Sequence, residues 1–259
     1  MEALNVAAGF GVGLLVGLTG VGGGALMTPI LVLLVGTAPA VAVGTDLWFA
    51  AVTKAVGGAV HGWRGGIDWQ VARRLWAGSL PAALATLAWL QHSGNGGARN
   101  GTILVALGIV LLLTAAAMVL KNRLHAWGRG WRVGDPQHFK RMQPAGTVLA
   151  GAVLGFLVTL TSVGAGALGA VMLLALYPLR MVPARLVGTD IVHAVPLTLV
   201  AGLGHFWMGH VDFRLLTGLL AGSLPGIALG SMASGRLPEP VLRVAISLVL
   251  FAVGVKLVA

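Results

Sequence analysis

The 259-residue chain has no cysteine, a single tyrosine and little charge of either sign, with 7 acidic and 17 basic side chains making up 9% of the residues. Without cysteine there can be no disulfide, iron–sulfur cluster, thiolate zinc site or cysteine nucleophile. A soluble domain carries roughly a quarter of its residues as charged groups, so the polar surface available here is too small to wrap a water-soluble globule of this length. A cytosolic enzyme does not fit. What the chain has instead is 57% apolar residues and 40 glycines, the composition of a polytopic membrane protein. A formal charge of +10 would point a soluble protein towards nucleic acid. Here the basic residues sit in short gaps between apolar segments, where membrane topology selects them, and no nucleic-acid partner is expected. The start, Met1-Glu2-Ala3-Leu4, has no basic stretch before its apolar run, so the first segment is expected to stay uncleaved.

Apolar runs cover roughly 4–19, 24–36, 39–61, 71–91, 101–120, 145–161, 167–178, 184–208, 213–233 and 239–258. Six of the runs are near the ~20 residues that span a bilayer core of ~30 Å. The others form two short pairs. The first pair flanks Gly20-Val21-Gly22-Gly23-Gly24 and the second flanks Ser162-Val163-Gly164-Ala165-Gly166. Glycine costs a helix about 1 kcal/mol relative to alanine, so both pairs predict a helix broken inside the membrane.

The longest polar gap, 121–144, carries Lys121, Arg123, Arg129, Arg132, Lys140 and Arg141 against one acid, Asp135, and the positive-inside rule makes it cytoplasmic. If each short pair returns to its own side as a hairpin, Arg64, Arg73, Arg74, Arg180, Arg185, Arg236 and Arg243 fall on that same side. Only Arg99, Arg214 and Lys256 then fall opposite. Both termini are accordingly expected outside, with residues 1–120 as a first transmembrane repeat, 121–144 as a basic linker and 145–259 as a second repeat.

The repeat is visible in the residues. Leu18-Thr19-Gly20-Val21-Gly22-Gly23-Gly24-Ala25-Leu26 matches Leu160-Thr161-Ser162-Val163-Gly164-Ala165-Gly166-Ala167-Leu168 at seven of nine positions. Downstream, Val43-Gly44-Thr45-Asp46 recurs as Val187-Gly188-Thr189-Asp190, His61 and Trp63 as His205 and Trp207, Asp68 as Asp212, and Gly78-Ser79-Leu80-Pro81 as Gly222-Ser223-Leu224-Pro225. A hairpin plus three crossings per copy is an odd number, which inserts the copies with opposite orientation. The expected fold is all-α, two inverted repeats, each with a broken or re-entrant short-helix pair and three transmembrane helices, with substrate near the midplane. Gly9, Gly13 and Gly17, and likewise Gly151 and Gly155, are spaced to let the first limbs pack closely on a neighbour.

Helix starts at the two breaks would present N–H groups and about half a positive charge to an anion. The candidate substrate-binding residues are Thr19, Gly22, Gly23, Gly24 and Thr45 in the first repeat, and Thr161, Ser162, Gly164, Gly166 and Thr189 in the second. Asp46 and Asp190 are acids well inside apolar segments, a placement that costs at least ~2.5 kcal/mol and marks a role. With His193 one turn beyond Asp190, they are candidates for proton coupling; a structural hydrogen bond or an ion pair with Lys54 is the competing reading. Lys54 is the candidate electrostatic attractor for an anion. His61 and His205, beside Trp63 and Trp207, read as interfacial anchors rather than metal ligands, and no metal or cofactor is expected. Ser79 and Ser223 have no evident base partner, so nucleophilic catalysis is not expected.

Taken together, the Leu18–Gly24 motif with Pro29, the Gly-Thr helix that follows, His61, Gly66-Ile67-Asp68-Trp69 and Gly78-Ser79-Leu80-Pro81 resemble the TauE/SafE sulfite exporters, also called toluene sulfonate uptake permeases. The resemblance covers nearly the whole chain. It implies a multi-pass inner-membrane transporter of a sulfur-containing oxyanion or small organic anion, not an enzyme. Asp46 and Asp190 stand where Ser or Asn is common in that family, and two carboxylates beside an anion site imply movement coupled to protons. The expected partners are a small anionic substrate and the lipid bilayer, and a homodimer is an assembly open to it. Two other readings compete. One is a membrane-embedded redox subunit binding haem or quinone through His61, His193 or His205, and the other is a passive anion channel.

Overall fold

The computed structural model describes residues 2–19, 24–63, 66–93, 96–233 and 239–258. Among them are ten α-helices and no strand: α1 Glu2–Thr19, α2 Gly24–Leu33, α3 Pro39–Trp63, α4 Trp69–His92, α5 Gly96–Gly134, α6 Pro136–Thr161, α7 Ala167–Leu176, α8 Pro183–Trp207, α9 Phe213–Ala233 and α10 Glu239–Val258. The chain is an all-α polytopic membrane protein. Within the described residues α5, α6, α8, α9 and α10 are long and apolar enough to cross a membrane. The ten-residue α2 and α7 reach only about 15 Å, half a bilayer core.

Local chemistry sets the helix ends. Asp68 and Asp212, equivalent in the two repeats, cap α4 and α9 by accepting from Val71 N–H at 3.3 Å and Leu215 N–H at 2.9 Å. Asp135 caps α6 through His138 N–H at 3.1 Å, with Pro136 in the first helical position where its missing N–H costs nothing. At its other end α6 stops at Ser162, which is left-handed with φ 60° and donates its N–H to Val158 O at 2.7 Å. Gly164 and Gly166 follow with φ 124° and 123°, backbone that side-chain-bearing residues rarely adopt. The second helix break therefore lies where the glycine spacing predicts it. Of the first break, residues 20–23 lie outside the described residues.

Contacts between the halves come in matched pairs. Helix α1 packs on α9 as α6 packs on α4, α2 meets α10 as α7 meets α5, and α3 meets α9 as α8 meets α4, while α3 and α8 pack on each other. The α1–α9 seam is built from glycine. A Cβ at Gly9, Gly13 or Gly17 would collide with the carbonyls of Leu219, Ser223 and Ile227, and one at Gly222, Gly226 or Gly230 with those of Val6, Phe10 and Leu14. The α4–α6 seam repeats the device with Gly78 against Val148 O, and Gly151 and Gly155 against Leu75 O and Ser79 O. In lipid, where apolar surface gains little from leaving its solvent, such backbone proximity is what holds helices together. Large apolar side chains point outward on α5 and α10, among them Leu113, Leu248 and Phe251, each more than half exposed. In water each would forgo about 1.5–3 kcal/mol of burial; lipid removes that penalty.

The polar stretch 121–144 is helical rather than an open connection. At 39 residues α5 is about 58 Å long, so its C-terminal turns project well past a ~30 Å core. They are tied down by Trp131, which contacts both Trp127 and the buried Phe139, and by Gly128, which rests on Ala175 O at the end of α7.

Candidate functional site

The second break and the two buried acids meet in one polar cluster inside the helix bundle. From α3, Asp46 is fully buried, and its Oδ2 accepts from the Thr28 hydroxyl of α2 at 2.6 Å. The Ser162 hydroxyl of the second break lies beside the carboxylate, and among the described residues neither it nor the other Asp46 oxygen makes a hydrogen bond of good geometry. Eight residues along α3, the buried Lys54 reaches across to the other repeat and donates to Ala165 O in the break at 3.1 Å. Neither Asp46 nor Asp190 lies within 4.0 Å of the ammonium, yet both carboxylates act on it electrostatically.

Asp190 is held on α8 facing the start of α7. The Gly166 N–H at that helix start is directed at the carboxylate. Gly169, one turn further, makes room for it: a Cβ there would lie 2.5 Å from Asp190 Oδ1. That oxygen has no hydrogen-bond partner among the described residues. Thus the start of α7, the positive end of that helix, is already faced by a carboxyl group of the protein.

His193 lies one turn beyond Asp190 and is fully buried. Its Nε2 is 3.0 Å from Ser79 Oγ of α4, its carbonyl accepts from Trp76 Nε1–H at 3.1 Å, and its Nδ1 has no hydrogen-bond partner among the described residues. Ser79 therefore does have an imidazole partner, invisible in the sequence because 114 residues separate the two. Among the described residues no third group bonds the ring's Nδ1, the position that orients the base of a catalytic triad.

The duplicated Gly-Thr pairs serve the joints between repeats. Thr45 Oγ1 accepts the Asp212 backbone N–H at 3.1 Å, and Thr189 Oγ1 accepts that of Asp68 at 2.9 Å. Gly44 rests on His210 O and Gly188 on Gly66 O, with no room for a Cβ at either. Each repeat thus docks its Gly-Thr step onto the N-terminus of the other repeat's capped helix. Thr161 is buried and turned to its own backbone, donating to Leu157 O at 2.7 Å.

The structure therefore brings Asp46, Lys54, Ser162, Gly166, Asp190 and His193 together and sets Thr45 and Thr189 at the joints. Gly22, Gly23 and the side chain of Thr19 lie outside the described residues, and Gly24 opens α2. His205 differs from the interfacial expectation: it is fully buried, 3.0 Å from Thr159 O through Nε2, because its side of α8 faces the bundle while the neighbouring Trp207 points out. Thr28, Trp76 and Gly169 are members of the cluster that sequence reasoning missed. Thr28 had one signal, a hydroxyl four residues into a short helix that is otherwise apolar. No described group of His, Asp or Glu is arranged to hold a metal ion.

Comparison with known proteins agrees with this architecture. The profile of a family described as Sulfite exporter TauE/SafE matches residues 5–257. The chain is 39% identical over 268 residues to the probable membrane transporter protein YjnA of Bacillus subtilis (strain 168), covering all of both chains. It is 26% identical to a probable membrane transporter protein of Xylella fastidiosa (strain Temecula1 / ATCC 700964), over 92% of this chain and 87% of that one. It is 25% identical to the probable membrane transporter protein YdhB of Bacillus subtilis (strain 168), over 92% and 93%. No solved structure gives a significant match.

Proposed function

The chain belongs to the Sulfite exporter TauE/SafE family, a family of membrane transporters and not of enzymes, and we propose that it moves a sulfur-containing oxyanion or small organic anion by alternating access around the two helix breaks, coupled to protons. In this reading it is a multi-pass inner-membrane protein with inverted repeats, and both termini lie outside. The observation that carries the proposal is Asp190 lodged against the start of α7, within the electrostatic reach of Lys54. An ionised Asp190 occupies the place a substrate anion would take and repels it. A protonated Asp190 gives up its hold on the helix start, and an incoming anion then gains the Gly166 N–H and the nearby Lys54 cation. Proton and anion therefore arrive together, and neither is favoured alone. Asp46, the counterpart of Asp190 in the first repeat, is held by Thr28 and lies beside Ser162 of the second break.

The test is thermal unfolding of the detergent-purified protein with sulfite, sulfate, thiosulfate, an arylsulfonate, a short carboxylate and chloride, each at two pH values. Stabilisation by one sulfur oxyanion, stronger at the lower pH and lost in Ala165→Leu, is the expected result. No response to any of these anions overturns the substrate class, and an equal response at both pH values overturns the coupling.

A further inference from the structure

Away from the buried cluster, a cavity of about 350 Å³ opens between the N-terminal half of α4, the α5–α6 turn and the segment that follows α7. Four cations line it: Arg74, Arg132, Lys140 and Arg180. Arg74 comes from the first repeat, Arg132 and Lys140 from the basic stretch 121–144 and Arg180 from the second repeat, and no acidic side chain lines the cavity among the described residues. Arg180 is a fixed wall. Its Nε and Nη2 clamp Asp68, with Nη2 at 2.8 Å, and its Nη1 donates to Gln70 Oε1 at 2.9 Å. Arg74 is oriented by Tyr177, whose hydroxyl accepts at 3.2 Å and is itself 2.7 Å from Thr147 Oγ1. Arg74, Arg132 and Lys140 have no acidic partner among the described residues. Three cations without an acidic partner among the described residues, one of them oriented by Tyr177, line a space roomy enough for a phosphate group.

The rim is apolar. Leu179, on the cavity wall, is 61% exposed, and Val182 and Trp69 nearby are more than half exposed. Such side chains belong at a lipid–water boundary, where aliphatic surface meets acyl chains and tryptophan sits at the headgroup level. Paired guanidiniums match the oxygens of a phosphate, and basic pockets between helices at that depth bind anionic headgroups. We infer that this cavity is a binding site for a phosphate-type anion, seated beside Arg74, Arg132 and Lys140 and independent of the transport site. The apolar rim favours the phosphodiester of an anionic lipid as the source over a soluble phosphate.

The experiment compares full-length, delipidated protein with two double variants that lose the same charge. Arg132→Gln/Lys140→Gln removes two cavity cations, and Arg123→Gln/Arg129→Gln removes two exposed cations outside the cavity. Each protein is unfolded thermally in micelles with phosphatidylcholine, with phosphatidylglycerol, and with phosphatidylcholine plus inorganic phosphate, and bound lipid is counted by native mass spectrometry. Expected is a rise in midpoint and a retained phosphatidylglycerol in the parent and in Arg123→Gln/Arg129→Gln, with most of both lost in Arg132→Gln/Lys140→Gln. The same selective loss with inorganic phosphate, and none with lipid, supports the pocket with a soluble occupant. Equal responses of the two double variants to both anions overturn the site.

Discussion

Lys54, from a helix of the first repeat, donates its ammonium to the carbonyl of Ala165 in the helix break of the second, over 3.1 Å. The equivalent position in the second repeat is Thr198, whose hydroxyl turns back to Ala194 O. The repeats are therefore symmetric in backbone and asymmetric in charge, and the one buried cation of the cluster serves both carboxylates.

Removing that cation leaves Ala165 O without its donor and two buried acids without compensation. Lys54→Met is expected to destabilise the protein by about 3–5 kcal/mol, the cost of breaking a buried ionic arrangement. Adding Asp190→Asn should restore part of that loss, because the two groups act on each other. Thermal unfolding of both variants checks this; additive losses would mean that Lys54 and Asp190 are energetically independent.

Asparagine keeps the shape of aspartate and cannot carry the proton. In Asp190→Asn and Asp46→Asn, uptake of the stabilising anion into proteoliposomes should lose its dependence on pH, with a larger effect for Asp190, which faces the α7 helix start. If both variants keep the parent's rate and pH profile, proton coupling through these acids is wrong.

The joints offer a stability test free of transport. Thr45→Val and Thr189→Val each strip the acceptor from one backbone N–H, and an unsatisfied buried donor costs about 1–3 kcal/mol. Thr189→Val should cost more, because the Asp68 joint is buried whereas the Asp212 joint is partly open. The two losses should add in the double variant, since the joints share no partner. Denaturant midpoints in detergent give the order directly.

Two glycines two residues apart in α1, on opposite sides of the helix, should respond oppositely. A Cβ at Gly13 would strike Ser223 O, whereas nothing lies within 4 Å of one at Gly11. Gly13→Ala is expected to lower the unfolding midpoint. Gly11→Ala should leave it unchanged or raise it, through a helix-propensity gain of up to about 1 kcal/mol in stability. Equal effects would show that the α1–α9 seam tolerates separation.

Much of this was legible in the chain. The glycine run 162–166 predicts a break, and the helix stops at Thr161 and resumes at Ala167, because φ near 120° at Gly164 and Gly166 is open to few other residues. Asp68 and Asp212, visible in the sequence as a duplicated pair, are helix caps. The small-residue spacing of α1 and α6 marks the two seams. The duplicated Thr45 and Thr189, by contrast, were legible as important and illegible in role. Their partners belong to the other repeat, 167 and 121 residues away, and a repeat seen in sequence says nothing of how its copies touch. The serine-histidine contact was hidden for the same reason, and the Thr28 bond to Asp46, though within one repeat, was hidden because it joins two different helices.

By itself the sequence determined the membrane class, the ten helical segments, the duplication and the two buried acids, because hydropathy, glycine spacing and repetition are local properties of the chain. Only the tertiary structure decided that Lys54 crosses to the opposite repeat, that Asp190 fills the positive end of α7, and that the Gly-Thr steps join the halves. Those are meetings of residues more than a hundred positions apart or on different helices, set by how glycine-lined helices close on one another.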